Sequence, residues 1–175
     1  GRHDLPWRKT REPYKILVSE AMLQQTQVER VRPLYESFLK KFPTAKKLAA
    51  APLSEVLKAW QGLGYNRRAK MLRQAAQEIA AHGAPKTVET WKQLPGVGPY
   101  TARAVAAFAF DEPGILIETN IRTAVLHHFF PKRVGVSDRE IEKALAACAP
   151  RGKAREWNYA LMDYGAFWKR AGVRL

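Results

Sequence analysis

Apolar residues recur along this chain at the three- and four-residue spacing that is typical of α helices. This pattern predicts helices from residue 12 or 13 to 24 and over residues 28–42, 45–51, 53–60, 66–82, 88–93, 99–110, 121–130, 138–148 and 154–171. Residues 1–11 are polar and basic and are predicted to be an irregular arm. No convincing pair of strands, tandem repeat or low-complexity tract is found, so the sequence predicts an all-α protein.

The first long helix is apolar on nearly every side, and Glu20 lies within that apolar stretch. A helix of this kind is typical of a protein core. A carboxyl group there would be partly desolvated, which disfavours its charged form. Glu20 is therefore a candidate proton donor. The alternative is that Glu20 points outward at the helix edge, because buried glutamates are uncommon.

A turn with two glycines, Gly96 and Gly98, lies between two predicted helices. Glycine adopts backbone angles that other residues avoid, so a very tight turn fits here. The following helix would begin at Pro99, with its amide groups and positive dipole end facing out of the turn. Such a corner can bind a phosphate group. The alternative is an ordinary turn between two helices.

A second glycine turn, Gly62–Tyr65, precedes a helix that begins with several basic residues, including Arg67 and Arg68. An aromatic side chain beside a basic helix start suits insertion into a nucleic acid or stacking on its bases. In the alternative, Tyr65 covers the core and the basic residues form a solvated helix face.

A third polar cluster follows the apolar triplet 115–117, which is short enough to be a buried extended segment. Thr119 or Asn120 could cap the next helix. Glu118 would then lie near a helix N terminus, where the ionised form is favoured. The alternative role for Glu118 is that of a simple capping carboxylate.

Thirty Lys and Arg residues against sixteen Asp and Glu give a net charge of +14. An excess this large in a chain that also has a well-patterned core favours a polyanionic partner, and nucleic acid is the commonest. An anionic membrane surface is the weaker option. No apolar run approaches the roughly 20 residues of a membrane helix, so we expect a soluble protein. No cleavable leader is visible in the sequence. The first residue is Gly1, so residues could precede it.

Taken together, these motifs resemble the helix-hairpin-helix DNA glycosylases of the endonuclease III superfamily, and among them the MutY-type adenine DNA glycosylases. The segments that carry the resemblance are Leu5–Arg8, Ser19–Val28, Trp60–Tyr65, Leu94–Gly98, Tyr100–Ala102 and Met162–Ala166. They occur in the family's order and spacing and cover almost the whole chain. The resemblance implies two helical lobes with a DNA-binding cleft between them: a six-helix lobe of residues 19–129, and a second lobe of residues 1–18 and 130–175.

The resemblance also implies catalytic roles. Glu20 occupies the position of the acid that protonates the departing adenine, and Glu118 stands where the family has an Asp that stabilises the developing sugar cation. Asn120 matches a nearby family Asn. Tyr100 stands where bifunctional relatives have a Schiff-base lysine, so we expect a monofunctional enzyme that leaves an abasic site.

Two of the predicted DNA contacts, Gln25 and Tyr65, match residues that wedge into the duplex beside the flipped nucleotide. The hairpin glycines would hold a phosphate on the 3′ side of the lesion, and the N-terminal Trp and Arg resemble residues of the base pocket. The predicted substrate- and DNA-binding residues are Trp7, Arg8, Gln24, Gln25, Tyr65, Arg67, Arg68, Gly96, Gly98 and Thr101. The expected partner is double-stranded DNA with a mismatch or lesion, bound by a monomer that is cytoplasmic if the source is bacterial.

Three departures from the family pattern bear on these roles. Glu118 is one methylene longer than the family's Asp, and a shift of about 1 Å in a catalytic carboxylate can cost on the order of 100-fold in rate. The chain has one cysteine, Cys148, so no iron–sulfur cluster is expected. In relatives, the hairpin carbonyls hold a monovalent cation, which is the one cofactor the resemblance leaves open. The C-terminal domain with which MutY-type enzymes recognise oxidised guanine is not in this sequence.

Two alternatives to adenine excision follow from the same residues. A thymine or uracil mismatch glycosylase is the first, because such relatives can carry Glu and Tyr at the positions of Glu20 and Tyr100. The second is a DNA-binding protein without catalytic activity, in which Glu118 marks a decayed site.

Overall fold

The computed structural model describes residues 4–170, except for the side chain of Lys169, and this part of the chain is helical without any strand. The helices are α1 (Pro13–Leu23), α2 (Val28–Lys41), α3 (Ala45–Ala50), α4 (Leu53–Ala59), α5 (Arg67–His82), α6 (Val88–Trp91), α7 (Pro99–Phe110), α8 (Thr119–Phe129), α9 (Asp138–Cys148) and α10 (Ala154–Arg170). The predicted all-α class is confirmed, and the helix bounds agree with the prediction to within two residues. The predicted end of the last helix, Ala171, lies outside the described residues.

The described residues divide between Phe110 and Asp111 into two compact units. Helices α1–α7 belong to the first unit and α8–α10 to the second. The lobe boundaries implied by the resemblance, 19–129 against 1–18 and 130–175, stay a prediction. None of the helices within residues 4–170 combines the length and apolar character needed to span a lipid bilayer.

Helix α1 is the centre of the first unit and packs against α2, α5 and α7. Ile16, Val18 and Met22 are almost fully buried on it. Burial of such side chains contributes roughly 1.5–3 kcal/mol each relative to an exposed position. Because α1 is enclosed on several sides, its apolar pattern is nearly all-round, as the sequence predicted.

Side-chain caps explain where several helices begin. The hydroxyl of Thr44 accepts a hydrogen bond from Lys47 N–H at the start of α3. Ser137 and Glu140 form a reciprocal capping box at the start of α9. Such caps satisfy amide groups that have no partner within the helix, and each contributes roughly 1 kcal/mol.

The predicted irregular arm at the N terminus is more ordered than expected. Pro6–Arg8 form a short 3-10 helix. Trp7 is only 4% exposed, and its ring meets Tyr35 of α2 edge-on at a centroid distance of 5.3 Å. The arm is therefore held to the first unit by apolar packing, which its polar composition concealed. Residues 1–3 lie outside the described part of the chain.

Candidate functional site

Glu20 lies on the buried side of α1, with 9% of its surface exposed. Its neighbour Ser19 is also buried and donates its hydroxyl to the carbonyl of Ile16 at 2.7 Å. The alternative in which Glu20 points outward into solvent is therefore wrong. An acidic side chain in an apolar helix is desolvated, which is the environment that a proton donor needs.

The segment that follows α1 brings two predicted DNA-binding residues together. Gln24 is exposed, and its side-chain amide lies 3.5 Å from the hydroxyl of Thr101 on α7, at the limit of a hydrogen bond. Thr101 itself is buried. Both residues line a small cavity of about 50 Å³, which Arg68 and Gly96 also line. This cavity has the size of a few water molecules, so it is not a pocket for a base.

Gln25 and Tyr65, the predicted wedge residues, share an unusual backbone conformation. Their φ angles are +56° and +45°, and within the described part of the first unit they are the two non-glycine residues in the left-handed region. This conformation costs roughly 1–2 kcal/mol for a residue with a side chain. Strain of this kind persists only where the surrounding structure enforces it, and it is frequent at functional sites.

Tyr65 extends into solvent from the glycine turn. Its surface is 68% exposed, so the alternative in which it covers the core is wrong. The turn before it contains Gly62 and Gly64, both with positive φ angles. The indole N–H of Trp60 donates to the carbonyl of Gly64 at 3.1 Å and fastens the turn to the buried end of α4. A large exposed aromatic on a fixed turn is suited to stacking on a base.

The two arginines at the start of α5 have different surroundings. Arg67 is exposed, as a phosphate-binding residue should be. Arg68 turns inward, and its guanidinium donates to backbone carbonyls of the α1 end and of the glycine turn. Burial lowers the pKa of the Arg68 guanidinium below its ordinary value. The structure thus gives Arg68 a supporting position among the predicted DNA-binding residues, with its two terminal nitrogens, Nη1 and Nη2, engaged by backbone carbonyls.

The hairpin glycines differ from each other. Gly96 has a φ of +76°, and a Cβ atom there would lie 2.7 Å from Cβ of Met71 on α5. Gly98 does not adopt a left-handed φ, and a Cβ atom there would meet no atom within 4 Å. Of the two glycines in the predicted tight turn, Gly96 uses the left-handed conformation and Gly98 does not. Its open surroundings leave room for a ligand to approach the backbone.

Tyr100 lies in the first turn of α7 and is partly exposed. The helix begins at Pro99, as predicted, and Ala102 N–H donates to the carbonyl of Gly98 at 2.9 Å. The hairpin backbone therefore runs directly into the helix. A phenol at this position has no amine, so it cannot form an imine with an opened sugar.

In the second unit, Glu118 is the N-cap of α8. Its Oε1 atom accepts a hydrogen bond from Ile121 N–H at 2.9 Å. The prediction that Thr119 or Asn120 caps this helix is wrong, because α8 already begins at Thr119 and the Glu118 side chain accepts from the free amide of Ile121. Glu118 is therefore a capping carboxylate, and the same contact holds its carboxylate in one orientation.

Sequence reasoning missed two residues that support Glu118. Asn158 of α10 is fully buried, and its side chain bonds Leu116 N–H at 3.1 Å and the carbonyl of Gly114 at 3.0 Å. The backbone of the irregular segment before Glu118 thus obtains hydrogen-bond partners from a side chain of α10. At Gly165, a Cβ atom would overlap the backbone carbonyl of Asn120. Two features of the sequence could have identified these residues: Asn158 is a polar residue inside an amphipathic helix, and Gly165 is a glycine in the middle of that helix.

The two N-terminal residues that were predicted to line the base pocket, Trp7 and Arg8, are less exposed than that role suggests. Trp7 is a core residue in this structure, and Arg8 is half-buried. Their place in a base pocket stays a prediction that rests on the resemblance.

The residues present do not fit an iron–sulfur cluster. Such a cluster is usually held by four cysteine thiolates, whereas the sequence contains Cys148 alone, which is exposed. Across the described residues, no group of three or more His, Cys, Asp and Glu side chains is arranged to hold a metal ion.

Comparison with known proteins is consistent with this arrangement. The model of the HhH-GPD superfamily of base excision DNA repair proteins matches residues 18–151. The chain is 42% identical over 171 residues to the adenine DNA glycosylase of Mycolicibacterium smegmatis, a match that covers 95% of this chain and 58% of that protein. The chain thus spans little more than half the length of that relative.

Two solved structures share the fold. A thermostable thymine-DNA glycosylase superposes with a TM-score of 0.82 at 30% identity and covers 94% of this chain and 79% of its own. A trapped endonuclease III–DNA covalent intermediate superposes with a TM-score of 0.74 at 25% identity and covers 93% and 76%. The family match, which extends over most of the sequence, and these structures lead to one conclusion. This chain belongs to the HhH-GPD superfamily of base excision DNA repair proteins.

Proposed function

We propose that this chain carries the catalytic machinery of a monofunctional DNA glycosylase that removes adenine mispaired with oxidised guanine or guanine. The burial of Glu20 on α1 is the observation that supports catalysis over binding alone. Burying a carboxyl costs free energy, and a protein that only binds DNA gains nothing from it. The similarity to adenine DNA glycosylases supports adenine as the base.

In the proposed reaction, the target nucleotide leaves the base stack, because the scissile bond is inaccessible inside the duplex. Glu20 donates its proton to the adenine ring, so the base leaves as a neutral molecule when the glycosidic bond breaks. The anionic carboxylate of Glu118 stabilises the resulting sugar cation. Water then adds to the anomeric carbon and releases a proton. The two carboxyl groups act in opposite protonation states, as in sugar hydrolases.

The bound substrate is proposed to be duplex DNA, held by a basic surface and by the hairpin. The net charge of +14 supports a polyanionic partner. The exposed Tyr65 and the strained Gln25 support local distortion of the duplex at the target base.

A panel of defined duplexes tests this proposal. Release of free base is measured from duplexes with A·oxidised G, A·G, T·G and U·G pairs, with and without alkaline treatment. We expect adenine release, with strand cleavage only after alkali, because Tyr100 cannot form an imine. Glu20→Gln should abolish release, whereas Glu36→Gln, which changes an exposed glutamate of α2, should not.

Thymine or uracil excision is the second candidate. The structural similarity to a thymine-DNA glycosylase supports it. Release of pyrimidine from T·G or U·G duplexes without adenine release would replace the adenine assignment by this one. Absence of release from all four duplexes, with DNA binding retained, would overturn the catalytic proposal in favour of a DNA-binding protein.

A further inference from the structure

One side chain of the first unit, Arg68, contacts the backbone of both segments that carry the predicted wedge residues, Gln25 and Tyr65. Its Nη1 atom donates to the carbonyls of Ala21 at 2.8 Å and Gln24 at 2.6 Å, at the end of α1. Its Nη2 atom donates to the carbonyl of Leu63 at 2.8 Å and approaches that of Gly64 at 3.4 Å. A planar guanidinium with donors pointing in fixed directions can hold two segments at once.

The bonded carbonyls include those of the residues immediately before Gln25 and Tyr65. The φ angle of a residue describes the rotation between its Cα and the preceding peptide plane. Hydrogen bonds to the carbonyls of Gln24 and Gly64 therefore restrain the two peptide planes from which the left-handed φ angles of Gln25 and Tyr65 are set. Arg68 therefore helps to hold both residues in their strained backbone conformation.

The guanidinium also contacts the aromatic side chains around the turn. Its central carbon lies 5.5 Å from the ring centroid of Tyr65 and 5.7 Å from that of Trp60. Cation–π contacts at these distances are attractive. The exposed Tyr65 ring thus rests on a charged group that is itself anchored to the protein backbone.

From these contacts, we infer that Arg68 is a positioning residue that holds Gln25 and Tyr65 in the arrangement needed to unstack the target nucleotide. Arg68 acts through these two residues and does not itself bind the DNA. The inference rests on the proposed function and extends it to the step before bond cleavage. A lysine cannot replace Arg68, because a single ammonium group lacks the planar fork that reaches both segments.

The test compares Arg68→Met and Arg68→Lys with a matched control, Arg73→Met. Arg73 lies on the same helix and donates its Nε–H to the carbonyl of Ala51 at 2.7 Å, away from the two wedge segments. Single-turnover base release is measured at saturating duplex. Target unstacking is followed by the fluorescence of 2-aminopurine at the target position.

We expect both Arg68 variants to lose on the order of 100-fold in the rate of base release and to lose the fluorescence rise, since a displacement of about 1 Å in a positioning contact can cost that much. The control should retain both. Equal losses in Arg73→Met would overturn the inference, because they would indicate general destabilisation of α5.

Two further measurements separate positioning from a merely structural role. Ethylguanidinium added to Arg68→Ala should partly restore base release, as it replaces the missing group. In a background with Gln25→Ala and Tyr65→Ala, Arg68→Met should cause no additional loss, because residues that act as one unit are not additive. Failure of the rescue, together with a fully additive loss in the rate of base release, would contradict the inference.

Failure of the proposed function would be recognised separately. If the parent chain releases no base from any duplex, the glycosylase proposal fails. The Arg68 inference is then decided by the 2-aminopurine signal and by hydrogen exchange of residues 24–26 and 62–66, which need no catalysis. Faster exchange there in Arg68→Met than in Arg73→Met would support it, and equal exchange would overturn it.

Discussion

The side-chain amide of Asn120 donates a hydrogen bond of 3.1 Å to Oε2 of Glu118. Oε1 of the same carboxylate accepts from the backbone N–H of Ile121, so both oxygens of Glu118 have donors. The two donors hold the carboxylate in one orientation. A fixed anion is the group that the proposed stabilisation of a sugar cation requires.

Glu118→Gln should therefore abolish base release while DNA affinity is retained. The amide keeps one oxygen to cap α8, but it removes the negative charge and places an N–H group against a donor. Single-turnover base release and duplex binding are measured side by side. Glu140→Gln removes a second capping carboxylate in the same unit and should leave base release unchanged. If Glu118→Gln cleaves as fast as the parent, Glu118 is not the charge stabiliser.

Substitution of the two hairpin glycines should separate folding from DNA binding. Gly98→Ala meets open space, so we expect an unchanged melting temperature and weaker binding, because the new methyl group would obstruct a phosphate. Gly96→Ala combines a positive φ with a clash against Met71 and should lower stability by roughly 1–3 kcal/mol. Melting temperatures and duplex affinities are measured for both variants. Unchanged affinity of a folded Gly98→Ala protein would contradict phosphate binding at the hairpin.

Gly165→Ala should force α10 away from α8 and disturb Asn120. Since the added methyl group would overlap a backbone carbonyl and not a flexible side chain, we expect a loss of about 1–3 kcal/mol or more in unfolding free energy. Denaturant unfolding and base release are measured. Gly114→Ala serves as the control, because a Cβ atom there would be 3.9 Å from its nearest atom, the Glu112 carbonyl oxygen. Equal stability of the two variants would show that the helices can separate at no cost.

Binding to duplex DNA should weaken steeply with salt, since phosphate contacts release counterions. Arg67→Met should reduce the magnitude of the log–log salt slope by about 1, because Arg67 is exposed at the start of α5. Lys46→Met, which removes an exposed charge from α3, should leave the slope unchanged. An affinity indifferent to salt would contradict a basic binding surface.

The stability of the second unit should depend on pH through Glu140. The backbone N–H and hydroxyl of Ser137 and the Arg133 guanidinium together lower the pKa of Glu140 from 4.5 to about 2. A carboxyl whose pKa is lowered on folding adds stability that is complete above its unfolded pKa and is lost as the pH falls through its folded pKa. The difference in melting temperature between the parent and Glu140→Gln should therefore shrink between pH 4.5 and about 2. A difference that grows on acidification would contradict this assignment.

The sequence by itself determined the helical class and the positions of the helices, and it supplied the candidate residues of the site. Helix periodicity, glycine turns and capping residues act over a few neighbours in the chain, so they can be recognised without tertiary contacts. For Glu20, the apolar residues around it indicated burial, but the sequence left open the alternative in which its side chain points outward at the helix edge.

Only the tertiary structure decided which side chains support the site. The resemblance placed Trp7 in a base pocket, and the basic start of α5 predicted that Arg68 contacts DNA. In the structure, Trp7 packs against Tyr35 and Arg68 bonds the backbone of two segments. The contacts of Trp7 with Tyr35 and of Arg68 with Gln24 join residues more than 25 positions apart. They depend on how helices pack, and no local pattern encodes that. For the same reason, Gly165 and Asn158 acquire their importance only through α8 and the segment before it.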